Sequence, residues 1–379
     1  MQVHALLDAL ETIAPLSYAE DWDNVGLLIG DPDDGCDGPV VFTIDCTRDV
    51  VDEACEEGAS MIVSYHPPIF HPLTRIAGPR ERSRVVLRAI REGMSVYSPH
   101  TALDATDGGV ADWLCNSLAP TGSEESTFGD RRAIEPLEVA ASSEQCKIVT
   151  FVPADHADTV RDALASAGAG RIGQYELCSF RVEGIGSFRS TGDASPVAGR
   201  AGELEHVPEV RLEMVCSRRS LAIAGELLRQ FHPYEEPAWE VYSLMARPNR
   251  SKGAGRVVTL DQSVTAAELA SRVKSALGVD AVKLASASET PVQRIGVCPG
   301  AGASLLDGAI EAGCTMFLTG EMRHHEVLGA IERGCAVLLC GHTNTERGFL
   351  PEYARRLEDV LPGVETIISR RDRSLFQTM

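Results

Sequence analysis

Apolar and polar residues follow one another along the chain in segments that predict helices and strands in turn. Between positions 2 and 13, apolar side chains recur every three or four residues, which predicts an amphipathic helix. Short apolar runs at 27–29, 40–45, 61–64 and 94–98 predict strands, and the stretches between them have helical character. Strands that alternate with helices are typical of a largely parallel sheet, so we predict an α/β fold.

The middle of the chain has a different pattern. Segments 119–145 and 247–255 are rich in small and polar residues and predict linkers. Between them the order is strand, helix, strand, strand, helix, strand, which is the split-βαβ, ferredoxin-like arrangement. We therefore divide the chain into a first half, 1–130, an inserted α+β domain, 143–246, and a second half, 247–379.

The two flanking halves resemble each other in sequence. Residues 56–64 align with 311–319, and the H-T-x-x-[DE] motif at 100–104 aligns with the one at 342–346. Each motif follows a short apolar strand, and open α/β sheets bind ligands at the carboxyl ends of their strands. A chance match of short apolar strands is the alternative. We favour an internal repeat, in which two related α/β halves form one discontinuous domain.

Histidines and carboxylates in these motifs predict a metal site. On a helix, residues four apart share a face, so His342 and Glu346 can point at one ion, as can His100 and Asp104. Another apolar strand is followed by Tyr65-His66-Pro67-Pro68. Such sets suit zinc, iron or manganese, and a bridging carboxylate can hold a pair of ions. A lone motif of this kind is otherwise explained by a helix cap or an ion pair.

Composition and charge exclude several classes of protein. The chain has 379 residues, of which 44% are hydrophobic, and this profile is that of a soluble globular protein. Its net charge of -20 argues against direct binding to nucleic acid or to an anionic membrane surface. The 11 cysteines never form C-x-x-C, which predicts reduced thiols. Neither a signal-peptide pattern nor a membrane-spanning apolar run occurs, so we expect a cytoplasmic protein.

The ordered motifs resemble those of the Nif-three-like (NGG-interacting-factor-three-like) family, whose members are labelled GTP cyclohydrolase 1 type 2 homologue. The resemblance rests on the runs Trp22–Gly26, Tyr65–Phe70, Ser98–Asp104, Thr319–Glu326 and Gly341–Glu346. The middle domain is similar to the CutA/PII-like insert of longer members, and its markers are Gly168–Gly173 and His232–Pro237.

This resemblance implies a dinuclear site with two divalent ions per protomer, and a toroidal homo-hexamer. By position, the implied metal ligands are His66, Asp104, His342 and Glu346, with Glu346 as the bridging carboxylate. The common bacterial pattern of the family is His-His-Pro, whereas this chain has Tyr65 before His66, so one imidazole is missing.

Further side chains are candidates for roles beside the metals. By the resemblance, His325 occupies the position of a general acid or base, and the alternative is a histidine on a helix surface. We expect His100 to orient Asp104 without binding the metal itself. Tyr65 is expected to lie beside the metal ligands in the same way. Glu321 is either a pocket carboxylate or a residue placed at a helix N-terminus by the dipole.

Three other segments carry weaker signals. Trp22, Asp23 and Asn24 either line the mouth of a pocket or form a loop packed by its tryptophan, and for Trp22 we favour the packed loop. Residues 300–303 form a glycine-rich turn, for which a phosphate site is the alternative. Residues 232–237 form a pocket or an oligomer contact, or shape the turn before the last strand of the inserted domain, and we favour the turn.

Together, these observations favour a metal-dependent hydrolase that acts on a nucleotide or a related small molecule, with His325 and Glu346 as catalytic residues. The family label points to GTP, but fold does not fix function. The alternative is a metal carrier or insertase, or a regulatory binding protein without turnover. A third possibility is an interaction scaffold with a structural metal.

Overall fold

The computed structural model describes residues 1–77, 80–120, 129–138, 141, 143–191, 200 and 202–376. These residues form two compact units. The larger unit combines Met1–Leu137 with Asn249–Met379, and the smaller unit consists of Glu138–Pro248. Among the helices within these ranges, none has both the length and the apolar character needed to cross a bilayer.

The regular elements are named here in chain order. The helices are α1 (Val3–Ile13), α2 (Arg48–Glu56), α3 (Glu81–Arg91), α4 (His100–Ala105), α5 (Val110–Asn116), α6 (Ala157–Ser166), α7 (Leu221–Phe231), α8 (Ala266–Leu277), α9 (Leu306–Glu311), α10 (His324–Glu332) and α11 (Leu350–Val360). The strands are β1 (Gly26–Ile29), β2 (Val40–Thr43), β3 (Met61–Ser64), β4 (Ser95–Ser98), β5 (Asp130–Glu138), β6 (Cys146–Val152), β7 (Phe180–Phe188), β8 (Glu205–Cys216), β9 (Trp239–Ser243), β10 (Pro248–Val264), β11 (Lys283–Ala285), β12 (Val292–Ala301), β13 (Met316–Glu321), β14 (Ala336–Leu339) and β15 (Thr366–Ile368).

The first sheet of the larger unit has the strand order β1-β4-β3-β2-β15. Strands β4, β3, β2 and β15 are parallel, and β1 is antiparallel to β4. Side chains of α1 and α11 pack on one face, around Phe42, while α2 and α3 pack on the other face, around Val41. Because successive side chains of a strand point to opposite faces, this sheet is buried on both sides.

The second sheet of the larger unit has the order β11-β14-β13-β12-β10-β5. Strands β12, β13 and β14 are parallel, and β11 is antiparallel to β14. Helices α5 and α8 contribute to the core on one face, and α9 and α10 to the core on the other. An antiparallel edge strand followed by three parallel strands therefore occurs in both sheets, in agreement with the internal repeat that the sequence predicts.

The two sheets exchange elements that are distant in sequence. The last strand, β15, pairs with β2, and α11 packs on the same sheet. In return, β5 lies beside β10 at the edge of the second sheet. The prediction of linkers at 119–145 and 247–255 is thus wrong for 130–138 and 248–255, which are strands. Within the first linker, residues 121–128, 139–140 and 142 lie outside the described residues.

The physical reason for this error is that the strand partners lie far apart in the chain. Gly253 has a φ of +136°, and a Cβ placed there would lie 2.1 Å from the carbonyl oxygen of Glu135. Only glycine permits such a close approach of two backbones, so a residue that indicates a linker by composition is required by a strand pair.

The smaller unit has the βαββαβ order that the sequence predicts. Its strands form an antiparallel sheet in the order β7-β8-β6-β9. Helices α6 and α7 cover one face, with Val160 and Leu228 fully buried. The 232–237 segment shapes the turn before β9: the Nε2 of His232 lies 3.0 Å from the carbonyl oxygen of Phe151, and its Nδ1 accepts a hydrogen bond from the backbone of Tyr234.

A buried arginine ties the first segment of the larger unit to the second. Arg256 of β10 is only 1% exposed, and its guanidinium donates to both carboxylate oxygens of Asp112 in α5. It also donates to the carbonyl oxygens of Gly253, Gly255 and Thr106. Every donor direction therefore has an acceptor, which is the condition for a tolerable buried charge.

We predict that Asp112→Asn destabilises the larger unit strongly, because it leaves the buried guanidinium without a counter-charge. The expected loss in the free energy of unfolding is about 3 kcal/mol, measured by urea denaturation. The matched control is Asp307→Asn, which breaks the exposed ion pair with Arg333 and is expected to cost less than about 1 kcal/mol. Equal losses in the two variants would contradict the structural role of Arg256.

Candidate metal centre

Two imidazoles and one carboxylate meet beside the carboxyl ends of β3 and β14. His66 follows β3 and His342 follows β14, one from each sheet. The Nε2 of His66 lies 3.4 Å from Oε2 of Glu346, and the Nε2 of His342 lies 3.4 Å from Oε1 of the same carboxylate. One ligand atom from each of the three residues lies within 4.8 Å of the others. The structure thus brings together three of the four ligands that the resemblance implies.

The local backbone differs between the two H-T-x-x-[DE] motifs. His100 and Asp104 lie on α4, as predicted. Residues 343–345 and 347–349 instead form consecutive 3₁₀ turns, with Glu346 between them. The prediction of one helix face for His342 and Glu346 is wrong in this detail, although the two side chains do converge.

Unpartnered polar atoms and open space indicate that these residues fit a metal ion. Nε2 of His66 and Oε2 of Glu346 are buried and have no hydrogen-bond partner, which is costly for polar atoms unless a further group binds them. Glycine at position 300 leaves room beside them, since a Cβ there would lie 2.6 Å from Oε1 of Glu346. Two imidazoles and one carboxylate suit zinc, iron or manganese.

Each of the two imidazoles is held by a second carboxylate. Nδ1 of His66 lies 2.9 Å from Oδ1 of Asp45, and Nδ1 of His342 lies 3.0 Å from Oε1 of Glu321. This pairing leaves the Nε2 atoms for Glu346 and a ligand, as is usual for metal-binding histidines. Asp45 is absent from the sequence prediction, although its position after β2 satisfies the same strand-end rule.

Charges around His66 favour its protonated form. Burial alone lowers the pKa of this imidazole, but the hydrogen bond with Asp45 and the charge of Glu346 raise it to about 10. Burial also raises the pKa of Asp45, yet His66 and Arg347 outweigh this effect and lower it. A metal ion at Nε2 must therefore displace a proton, so metal affinity increases with pH until that imidazole is neutral.

Asp104, the fourth implied ligand, is engaged by a neighbouring tyrosine. The hydroxyl of Tyr65 donates to Oδ1 of Asp104 at 2.5 Å. Burial raises the pKa of Asp104 to about 7, although the hydrogen bond from Tyr65 and the charge of His100 oppose the rise. Burial together with the charges of Asp104 and Glu346 raises the pKa of Tyr65 well above its usual value. Tyr65 is therefore a hydroxyl donor at neutral pH.

His100 is anchored by a different residue. Its Nδ1 lies 2.8 Å from Oδ1 of Asp23, whose other oxygen accepts from the backbone and hydroxyl of Thr101. Its ring packs edge-on against the rings of Tyr65 and His66, at centroid distances of 5.6 and 5.5 Å. His100 therefore contacts the centre through ring packing, while the side chain that bonds Asp104 is Tyr65 and not, as the sequence predicts, His100. The hydrogen-bond partner of His100 is Asp23.

A cavity of about 820 Å³ opens in front of these residues. Its wall includes His66, Asp104, His342 and Glu346. At the rim, Trp22 and Phe70 lie with their ring centroids 6.0 Å apart. Because Trp22 is 61% exposed, the interpretation of a loop packed by this tryptophan is wrong, and the side chain lines the cavity instead.

The structure places His325, the predicted general acid or base, outside the cavity wall. His325 is exposed near the start of α10, its ring contacts that of His324, and it is not part of the cavity wall within the described residues. Its catalytic role stays a prediction.

In the glycine-rich turn, the amides of Gly300 and Gly302 donate to the hydroxyls of Thr345 and Thr319. Those amides already have acceptors, which favours the tight turn over a phosphate site.

The fold and the site together define a class of protein: two related α/β sheets with a candidate His, His, Glu metal centre at their strand ends. The profile of the Duf34/NIF3 (NGG1p interacting factor 3) family matches residues 1–374. The chain therefore belongs to the Duf34/NIF3 family, which confirms the resemblance seen in the sequence.

Relatives and solved structures agree with this assignment. The chain is 35% identical over 322 residues to a "GTP cyclohydrolase 1 type 2 homolog" of Bacillus subtilis, covering 84% of this chain and 82% of the relative. A Mycobacterium leprae protein of the same name is 34% identical, with 84% and 80% covered. Among solved structures, a Bacillus cereus protein related to NIF3 has a TM-score of 0.73 at 28% identity, with 100% of this chain and 99% of that chain covered. Staphylococcus aureus protein SA1388 has a TM-score of 0.80 at 26% identity and the same coverage.

We predict that Gly300→Ala abolishes metal binding, because the new methyl group occupies the space beside Glu346 and lies 3.2 Å from Nε2 of His342. The measurement is metal per protomer by elemental analysis after reloading. Gly278→Ala is the matched control, since Gly278 has the same φ of +63° but nothing within 4 Å of the added carbon. Both variants place a Cβ at the same φ, so metal loss in only the first identifies the filled space as the cause. Undiminished metal in Gly300→Ala would place the centre elsewhere.

Proposed function

We propose that this protein is a metal-dependent hydrolase whose centre consists of His66, His342 and Glu346, and whose substrate is a nucleotide or a related small molecule. The observation that carries the proposal is the convergence of two imidazole nitrogens and a buried carboxylate in the wall of a cavity of about 820 Å³. Three protein ligands with an open position are the usual arrangement of catalytic zinc sites. A divalent ion held there lowers the pKa of a water ligand and polarises a substrate oxygen. The name shared by the relatives supports the same class of reaction.

The residues around the centre have separable tasks in this proposal. Asp45 and Glu321 orient the two imidazoles, so that both Nε2 atoms lie beside Glu346. Asp104 is the candidate for proton transfer, because its carboxyl group lines the cavity beside the centre and burial raises its pKa. Tyr65 fixes one oxygen of that carboxylate by a hydrogen bond.

The rim of the cavity supports a planar and anionic substrate. Trp22 and Phe70 present aromatic faces on which a heterocycle can stack. Arg82 also lines the cavity and can pair with phosphate or carboxylate groups, as can Arg48 if it leaves its ion pair with Glu81. A nucleotide combines these two features, which is why we place it first among the substrate classes.

We also infer that the smaller unit is the CutA/PII-like insert of the longer family members. The order βαββαβ and the strand order β7-β8-β6-β9 support this inference. The toroidal homo-hexamer implied by the resemblance stays a prediction.

Glu346→Gln is predicted to abolish turnover, because it removes a charged ligand while keeping the size of the side chain. Since even the outer partners of metal ligands contribute about 10- to 100-fold, we expect a loss in kcat of about 100-fold or more. The measurement is product formation by metal-loaded protein from a panel of nucleotides and phosphoesters.

The matched control is Glu332→Gln, an exposed carboxamide substitution on α10 that is expected to leave turnover unchanged. If metal-loaded wild-type protein is inert toward the whole panel but transfers its metal to a client protein, the hydrolase is refuted and the carrier alternative is supported.

Trp22→Ala tests the stacking of a planar substrate. The side chain is largely exposed, so its removal is expected to leave folding intact and to raise KM by about 3- to 10-fold with little change in kcat. The control is Tyr175→Ala, at an aromatic residue of the smaller unit that is 74% exposed. An unchanged KM in the Trp22 variant would argue against stacking at the rim.

A further inference from the structure

Tyr65 occupies the position at which the family pattern has an additional histidine. Tyr65 directly precedes His66, is 2% exposed and lines the same cavity. Its hydroxyl is directed at Asp104 rather than at Glu346, since it donates to Oδ1 of Asp104 at 2.5 Å. The tyrosine and the carboxylate therefore form a hydrogen-bonded pair beside the centre.

Both oxygens of Glu346 face the two histidines. Oε1 lies 3.4 Å from Nε2 of His342, and Oε2 lies 3.4 Å from Nε2 of His66. Among the described residues, this is the one set of three His, Cys, Asp or Glu side chains whose ligand atoms converge within 4.8 Å. Asp104 lines the same cavity but is not a member of that set.

An ion beside Asp104 would have few protein ligands. Oδ1 of Asp104 accepts a hydrogen bond from Tyr65, and neither Asp104 nor His100 belongs to the converging set of ligand atoms among the described residues. Glu346 would have to turn an oxygen away from a histidine to reach a second ion. Protein sites for zinc-like ions usually supply at least three side-chain ligands, and among the described residues no converging set of three includes Asp104.

We propose that the centre of this chain holds one metal ion, and that the Tyr65–Asp104 pair closes the position where a second ion would bind. This inference rests on the proposed metal centre and departs from the two ions that the resemblance implies. Tyr65 acts here as a positioning residue, which keeps Asp104 as a cavity carboxylate instead of a metal ligand.

The test is metal stoichiometry in the full-length protein. Untagged wild-type protein is purified without oxygen, stripped, reloaded with excess Zn²⁺ or Mn²⁺ and freed of unbound ion. Elemental analysis is expected to give about one ion per protomer. In Tyr65→His, the restored imidazole is expected to raise this number to about two. Electron paramagnetic resonance of the Mn²⁺-loaded proteins gives a second readout, namely isolated ions in the wild type and exchange-coupled pairs in the variant.

A control separates the site from the mere addition of a histidine. Tyr175→His introduces an imidazole at an exposed position of the smaller unit and is expected to leave the stoichiometry at about one. If Tyr65→His does not fold, the stoichiometry and the Mn²⁺ spectrum of the wild type still show whether the centre holds one ion or two.

The outcomes distinguish this inference from the proposed function. Two ions with coupled spectra in the wild type overturn the one-metal centre and leave the hydrolase proposal intact. One ion in both the wild type and a folded Tyr65→His variant overturns the role of Tyr65. No ion in the reloaded wild type overturns the metal centre itself, and the proposed function with it.

Discussion

The exchange of strands between the two sheets is the constraint on which the rest of the larger unit depends. The last strand of the chain, β15, completes the sheet of the first half, and β5 extends the sheet of the second half. Such an exchange prevents either half from closing its sheet alone. It also holds β3 and β14 so that His66 and His342 can share one carboxylate, which neither half could achieve by itself.

This dependence explains why charge is buried where the two segments meet. Arg256 brings its guanidinium to Asp112 and to backbone carbonyls of the first segment, and it does so at 1% exposure. In the low dielectric of a protein interior an unmatched charge is expensive, whereas a fully bonded one favours a single arrangement of its partners. In the site, Asp23 and Asp45 hold His100 and His66 in partly buried pairs, and the exposed Glu321 holds His342. Three carboxylates of this acidic chain thus fix the orientation of the three imidazoles.

The sequence predicts much of this structure where local pattern and function coincide. His66, His342 and Glu346 follow from the rule that ligands gather at the carboxyl ends of parallel strands, and the structure brings these three together. Asp45 follows the same rule and could have been predicted from it. The pairing of strand 130–138 with β10 could not have been predicted, because composition indicates only the local preference of the chain. Gly253 is required there by the backbone of a strand more than one hundred residues away.

The two copies of the H-T-x-x-[DE] motif explain why a repeat need not give two equal sites. In the second copy, 3₁₀ turns bring Nε2 of His342 to within 3.4 Å of the carboxylate of Glu346. In the first copy, which lies on a helix, Asp23 holds His100 and Tyr65 holds Asp104, so each member of the motif has a partner outside it. To bind a cation through Oδ1, Asp104 would have to give up the hydrogen bond from Tyr65. The two motifs have nearly the same residues, so the difference between them at the centre originates in the side chains that contact the motif, namely Asp23 and Tyr65 in the first copy.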